Sequence, residues 1–231
     1  MKVVIIGDVH GRDTWKKQVQ EPADLYIFIG DYWDSFDIPF EIQKENFKDI
    51  LEFYQKNLDK VVLLSGNHDV PNYCMENFYG ACSGFQNKHA FEIRDLMKPL
   101  YENGELQACK ILNGHIFSHA GITKEWCERY GINLLSTDNL EREINELFQK
   151  NLKAFCFQDP PYGINNRSYC GDDTWQSPLW VRPYSLMLNQ IEGFKQVVGH
   201  TQQKGIVYNE MNGIYFIDCQ ESSDEFLILE L

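Results

Sequence analysis

The sequence lacks the devices that mark secreted, membrane-spanning and nucleic-acid-binding chains. Its seven cysteines, Cys74, Cys82, Cys109, Cys127, Cys156, Cys170 and Cys219, are an odd number with no C-x-x-C pair. Neither a disulfide framework nor a zinc knuckle is expected, and the thiols read as reduced, scattered packing residues. No apolar stretch approaches the ~20 residues needed to span a bilayer, and no basic region followed by a long apolar segment opens the chain. A soluble, cytoplasmic protein with no membrane partner is the expectation. Positive charge is also scarce: 21 Lys and Arg against 34 Asp and Glu leave a net charge of -13 at pH 7. Such a chain repels polyanions as a whole. Its aromatic-rich stretches, "FYGACSGF" and "YCGDDTW", carry no interleaved Lys or Arg, so non-specific nucleic-acid binding is not expected.

At 231 residues the chain suits a single domain, 1–231, with a substantial core. Three apolar runs in the first third, Val3 to Ile6, Leu25 to Ile29 and Val61 to Leu64, have strand length and end in polar or glycine residues. Between the last two, Phe47, Ile50, Leu51, Tyr54 and Leu58 fall on one helical face. Alternating strands and helices, with strands apolar on both faces, point to a layered α/β fold and a largely parallel central sheet.

Residues 71–106 read as irregular, with one or two short helices. Asp138 and Glu141 have capping-box spacing ahead of a helical stripe, Leu140, Ile144, Leu147, Phe148, Leu152 and Phe155. Gln158 to Arg182 reads as a long loop of functional type. Four further strands are expected at Gln196 to Val198, Gly205 to Tyr208, Ile214 to Ile217 and Phe226 to Leu229, the last three as an antiparallel run.

The strand ends share a chemistry. The first run empties into Asp8 and His10, the second into Gly30 and Asp31, the third into Gly66, Asn67, His68 and Asp69. "HIFSHAG" places His119 after an apolar pair and "VVGHT" places His200 after another. One such case is an ordinary turn. Five in order gather imidazoles, carboxylates and an amide at the carboxyl ends of strands, where open α/β sheets bind ligands. These residue types suit two adjacent divalent metals: a carboxylate such as Asp31 can bridge, neutral imidazoles take terminal positions, and an Asn carbonyl adds a ligand without charge.

The motifs "GDVHG", "GDYWD", "GNHD", "SHAG" and "GHT", in this order across residues 7–201, resemble those of the calcineurin-like metallophosphoesterases, especially the phosphoprotein phosphatase branch with its bacterial and phage members. The resemblance implies a two-sheet α/β sandwich flanked by helices, with a dinuclear metal site at the C-terminal ends of the strands. It implies a first metal on Asp8, His10 and Asp31 and a second on Asp31, Asn67, His119 and His200. It also implies that His68 is the general acid to the leaving oxygen, oriented by Asp34. A histidine held by a carboxylate stays protonated and can donate, which fits that role.

The sequence departs from the branch at Ser35, where an arginine usually clamps phosphate. Arg182, in "PLWVRP", resembles a second phosphate-binding arginine, and Arg12 is the next candidate. Gln202 stands where broader family members carry a last histidine, in keeping with the phosphatase branch. His89 and His115 read as ordinary polar residues, Arg167 as a loop cation, the Asp172–Asp173 pair as a solvated turn, and Asp69 as fixing the loop that carries His68.

The function implied is hydrolysis of a phosphate monoester, of phosphoprotein or small-molecule type, by a metal-bridging hydroxide with no covalent intermediate, serine/threonine phosphatase-like. A nucleotide or dinucleoside-polyphosphate hydrolase is the alternative, and a metal-bearing scaffold that binds phosphorylated partners a third. Manganese is the first expectation for the two metals, with Fe, Zn or Ni accepted by sites of this type.

Overall fold

The computed structural model describes residues 1–134, 137–157 and 172–231, and of residues 137 and 138 the backbone alone. The strands are β1 (Lys2–Ile6), β2 (Leu25–Phe28), β3 (Val61–Leu64), β4 (Leu106–Gln107), β5 (Cys109–Leu112), β6 (His115–Ser118), β7 (Lys195–Val198), β8 (Val207–Asn209), β9 (Ile214–Phe216) and β10 (Leu227–Glu230). The helices are α1 (Trp15–Gln18), α2 (Phe40–Lys56), α3 (Val70–Tyr73), α4 (Ala90–Glu102), α5 (Lys124–Arg129), α6 (Thr137–Lys150) and α7 (Pro183–Asn189).

Two five-stranded sheets form, ordered β10-β1-β2-β3-β4 and β5-β6-β7-β9-β8. In the first, β1 to β4 run parallel and β10 antiparallel. In the second, β6, β7 and β9 run parallel, with antiparallel β5 and β8 at the edges. The two sheets pack face to face, and the period of two residues in a strand explains why the sequence runs are apolar throughout. Val3, Ile5, Ile27 and Ile29 point inward and pack with Phe117 and Val197 of the second sheet. Val4, Ile6, Tyr26 and Phe28 point outward and pack with Trp15, Phe47 and Ile50 under the helices.

Several elements differ from the expectation, each for a tertiary reason. The last strand does not continue an antiparallel run. β10 crosses to the other sheet and closes its edge against β1, which leaves β8 and β9 as the antiparallel pair. Leu58 lies beyond α2 and is exposed, so the buried stripe of that helix is Phe40, Gln43, Phe47 and Ile50. Residues 71–106 hold the 13-residue helix α4. The Glu141 carboxylate accepts from the Ile111 amide at 2.6 Å and Lys110 at 2.8 Å, satisfying the exposed edge of β5. Asp172 and Asp173 are not a solvated turn either. Asp172 accepts from the Ser185 amide at 3.0 Å in the first turn of α7, and Asp173 is buried. Cys170, Arg167 and the part of the expected 158–182 loop before residue 172 lie outside the described residues, and so does the Asp138 side chain on which the expected capping box rests. The six described cysteines form no disulfide among themselves, and no helix among the described residues is long and apolar enough to cross a membrane.

Candidate active site

The predicted site residues other than Arg182 lie on the loops that follow strands. Asp8 and His10 follow β1, Asp31 and Asp34 follow β2, Asn67 and His68 follow β3, His119 follows β6 and His200 follows β7. These strands end at one edge of the sandwich, so six donors from five loops meet there.

Meeting so closely bends the backbone. His10, Asp31, Asp34 and His200 have φ of 42°, 52°, 66° and 62°. Non-glycine residues in the left-handed region cost about 1–3 kcal/mol each and persist only where the surroundings over-determine them. Asp69 supplies one such constraint: its carboxylate accepts from the amides of Asp31 (2.7 Å), Tyr32 (2.9 Å) and Gly66 (2.7 Å), joining the loops after β2 and β3. Gly66 supplies another, because a Cβ there would overlap the Asp31 carboxylate and amide. Gly66→Ala is expected to lower Tm by roughly 2–10 °C, the range for an overpacked site in a domain of this size. A thermal melt indistinguishable from that of the parent protein contradicts that packing argument.

The donors are arranged to receive positive charge. Asp8, His10 and Asp31 each offer an atom, all within 4.8 Å of one another. His10 Nδ1 contacts the Trp33 carbonyl at 2.6 Å, and an oxygen that only accepts fixes the ring hydrogen on Nδ1. Burial lowers the pKa of His10, so its Nε2 presents a lone pair 3.5 Å from Asp31 Oδ2. His119 repeats the device, with Nδ1 3.2 Å from the Ile29 carbonyl. Its Nε2 faces two oxygens, Asn67 Oδ1 at 2.9 Å and Asp31 Oδ2 at 3.3 Å. Burial disfavours charge on that ring, yet Asp31 and Asp8 raise its pKa to about 9. Something positive is required between these atoms, and a proton or a cation can supply it. His200 Nδ1 also lies 2.9 Å from Asn67 Oδ1, while its Nε2 is buried with no hydrogen-bond partner among the described residues.

The carboxylates state the same demand. Burial and the nearby charge of Asp218 push Asp8 well above the ordinary carboxylate range. Burial and the charge of Asp31 raise Asp69 to about 7 and Asp218 to about 6. Burial works against Asp31 as well, but the imidazoles of His119, His68 and His10 more than offset it and hold it well below that range. The donor set therefore fits divalent cations: hard oxygens and imidazoles, short of positive charge, with ring orientations fixed by carbonyls.

His68 stands apart in role. Its amide donates to Asp31 Oδ1 at 2.9 Å, and its Nδ1 donates to Asp34 Oδ2 at 3.0 Å, leaving Nε2 as the ring's other polar atom. Burial opposes charge on the imidazole, but Asp31 and the Asp34 hydrogen bond raise its pKa well above the ordinary value. Asp34 is itself held by Asn72 Nδ2 (2.5 Å), the Tyr73 hydroxyl and Gln86 Nε2 (3.2 Å). Asn72 also accepts from the Cys82 amide at 2.9 Å, and Cys82 Sγ lies 3.6 Å from His68 Nδ1. The sequence reading missed these four residues, since "VPNY" and the aromatic stretch after it have no period to mark them. Asp218 was also missed, although it follows β9 as the other acids follow their strands.

Arg182 caps α7 and reaches the loop of His200, with Nη1 3.2 Å from both the His200 carbonyl and Thr201 Oγ1. Arg12 is engaged differently: Nη2 pairs with Glu221 at 2.9 Å and Asp37 at 3.3 Å, and Asp37 also accepts from Ser35 Oγ at 2.6 Å.

The sandwich with acids and imidazoles at its strand ends defines a metallohydrolase-like architecture. The calcineurin-like phosphoesterase profile matches residues 1–203, and the chain belongs to that family. It is accordingly a metal-dependent phosphoesterase that uses divalent cations and acts on phosphorylated substrates. No curated protein matches it at a significant level. Among solved structures, it is similar to the cold-active protein-tyrosine phosphatase of a psychrophile Shewanella species, at 19% identity and TM-score 0.61, over 99% of this chain and 75% of that one. A point mutant of a cold-active protein tyrosine phosphatase gives 21% identity and TM-score 0.62 over the same shares. A protein serine/threonine phosphatase from Saccharomyces cerevisiae with similarity to human phosphatase PP5 gives 15% and 0.53, over 94% of this chain and 66% of that one. At these identities the likeness is one of fold.

Proposed function

We propose that the protein is a phosphomonoesterase of the phosphoprotein phosphatase branch, with a site of the serine/threonine phosphatase type. The observation that carries this reading is the 3.0 Å pair of His68 and Asp34, set on the loop of Asn67 beside the metal-donor cluster. A scaffold that only binds phosphate has no use for an oriented proton donor.

On this reading Asp8, His10 and Asp31 hold one divalent ion, and Asp31, Asn67, His119 and His200 a second. Manganese is the first expectation, with Fe, Zn or Ni as alternatives. Bound there, such ions supply Lewis-acid polarisation of the phosphoryl group and a nucleophile at neutral pH. The chain's own residues do the rest. His68 keeps one proton on Nδ1 against Asp34 and gives the other, from Nε2, to the leaving oxygen. Asp34 cannot swing away, because Asn72, Tyr73 and Gln86 also hold it. Arg182 binds a phosphoryl oxygen that points away from the metals, with a fork that matches it bidentately.

Turnover of a generic aryl phosphate by manganese-loaded protein separates this enzyme from a scaffold, which gives none. Arg182→Ala is expected to lower kcat/KM for every phosphate substrate by about 10- to 100-fold, the effect of losing a charge-assisted hydrogen bond of ~1.5–3 kcal/mol. Arg182→Lys, which keeps the charge and loses the fork, should recover part of it. Full activity in Arg182→Ala moves the clamp elsewhere, and Arg12 would have to leave its two carboxylates to take it up.

A further inference from the structure

A groove of about 300 Å³ opens beside the acid–base pair, walled by Tyr79, Cys82, Cys156, Phe157 and Trp180. At one end Cys82 Sγ lies 3.6 Å from His68 Nδ1. At the other, the Trp180 ring stands edge-on to the His200 ring with centroids 5.6 Å apart. Trp180 and Phe157 meet at 5.3 Å, nearly perpendicular. Tyr79 is 70% exposed and Phe157 39%. Three large rings thus line a groove that adjoins the charged centre through Cys82 and Trp180.

We infer that this groove receives the aromatic leaving group of an aryl phosphate monoester, of which a phosphorylated tyrosine side chain is the natural form. The inference rests on the reading of the site as a phosphomonoesterase and names its substrate class. Position comes first. The groove adjoins the loops of both His68 and His200, through Cys82 and Trp180, so a group attached to a phosphoryl centre held between those loops can enter it. Size agrees, since a closed apolar cavity of about 150 Å³ already accepts benzene. The lining agrees too. Perpendicular and offset rings are the preferred partners of another ring, and thiols are soft neighbours for its edge. The described lining is made of rings, thiols and small residues, which suits an apolar ring. A seryl or threonyl side chain is too short to fill it.

The test uses two non-hydrolysable probes, phenylphosphonate and methylphosphonate, titrated into the manganese-loaded full chain by calorimetry. Two phosphopeptides identical except for phosphotyrosine or phosphoserine are assayed in parallel. Burial of one ring is expected to make phenylphosphonate bind roughly 10- to 100-fold tighter than methylphosphonate. The tyrosyl peptide should be preferred in kcat/KM by a similar factor. Phe157→Ala and Tyr79→Ala should each shrink both ratios several-fold, and Trp180→Phe should largely keep them. Equal binding of the two phosphonates overturns the inference, as do ratios unmoved in the alanine variants or a nucleoside monophosphate preferred over the tyrosyl peptide. If neither peptide is hydrolysed while the phenyl preference and its loss in the variants hold, the aryl site stands and the phosphomonoesterase reading falls.

Discussion

Asp31→Asn is expected to strip the centre of its metals and lower kcat by at least about a thousandfold, the scale of several kcal/mol of lost Lewis-acid stabilisation. The two carboxylate oxygens of Asp31 are engaged from three different loops. One oxygen accepts the His68 amide at 2.9 Å, and the other faces His119 Nε2 at 3.3 Å and His10 Nε2 at 3.5 Å. An amide at this position keeps the shape and can still accept one hydrogen bond. It loses the negative charge, and it cannot offer two anionic oxygens to two cations. Elemental analysis after gel filtration should fall from two metals per chain to below one, with an unchanged circular dichroism spectrum. Two metals retained in Asp31→Asn would remove Asp31 from the bridge.

His68→Asn should separate chemistry from metal binding. The imidazole is not among the donors proposed for either ion, so metal content is expected to stay at the parent level. General-acid catalysis contributes about 10²–10⁴ in rate, and alkyl phosphates should lose that factor. Nitrophenyl phosphate, whose leaving group departs without a proton, should lose much less. Equal losses on both substrates would show that His68 binds phosphate or shapes the loop and donates no proton. The substitution also frees Asp34 from its ring partner while Asn72, Tyr73 and Gln86 stay in place, so the loop conformation should survive.

The clustering of the candidate donors was legible because each stands only a few positions past an apolar strand, and strand ends in such sheets converge whatever the rest of the chain does. β1 shows the same for the fold: Val3 and Ile5 face one layer and Val4 and Ile6 another, so its unbroken apolar run already implied two covered faces. What stayed hidden depends on contacts between distant segments. Tyr73 and Gln86 reach Asp34 only because a one-turn helix and an irregular stretch fold back over its loop. Arg12 ranks behind Arg182 as a phosphate holder in the sequence, but its ion pairs with Asp37 and Glu221 are visible only in the fold. The departure of β10 for the other sheet is likewise decided by an open edge beside β1, not by anything within "FLILEL".

The donors do not all come from one layer. Asp8, His10, Asp31 and Asn67 leave the first sheet, and His119 and His200 leave the second, with His119 Nδ1 already reaching the Ile29 carbonyl across the seam at 3.2 Å. On the proposed assignment, an ion shared by Asp31, Asn67, His119 and His200 rivets the two layers together at one end. Cation loading then acts on folding as well as on chemistry, because whatever binds the assembled state and not the unfolded chain stabilises it by mass action. Prying the layers apart at that end requires releasing the ion first, so amide exchange at the ends of β2 and β6 should slow together on loading, while the far end of the sandwich keeps its own rhythm.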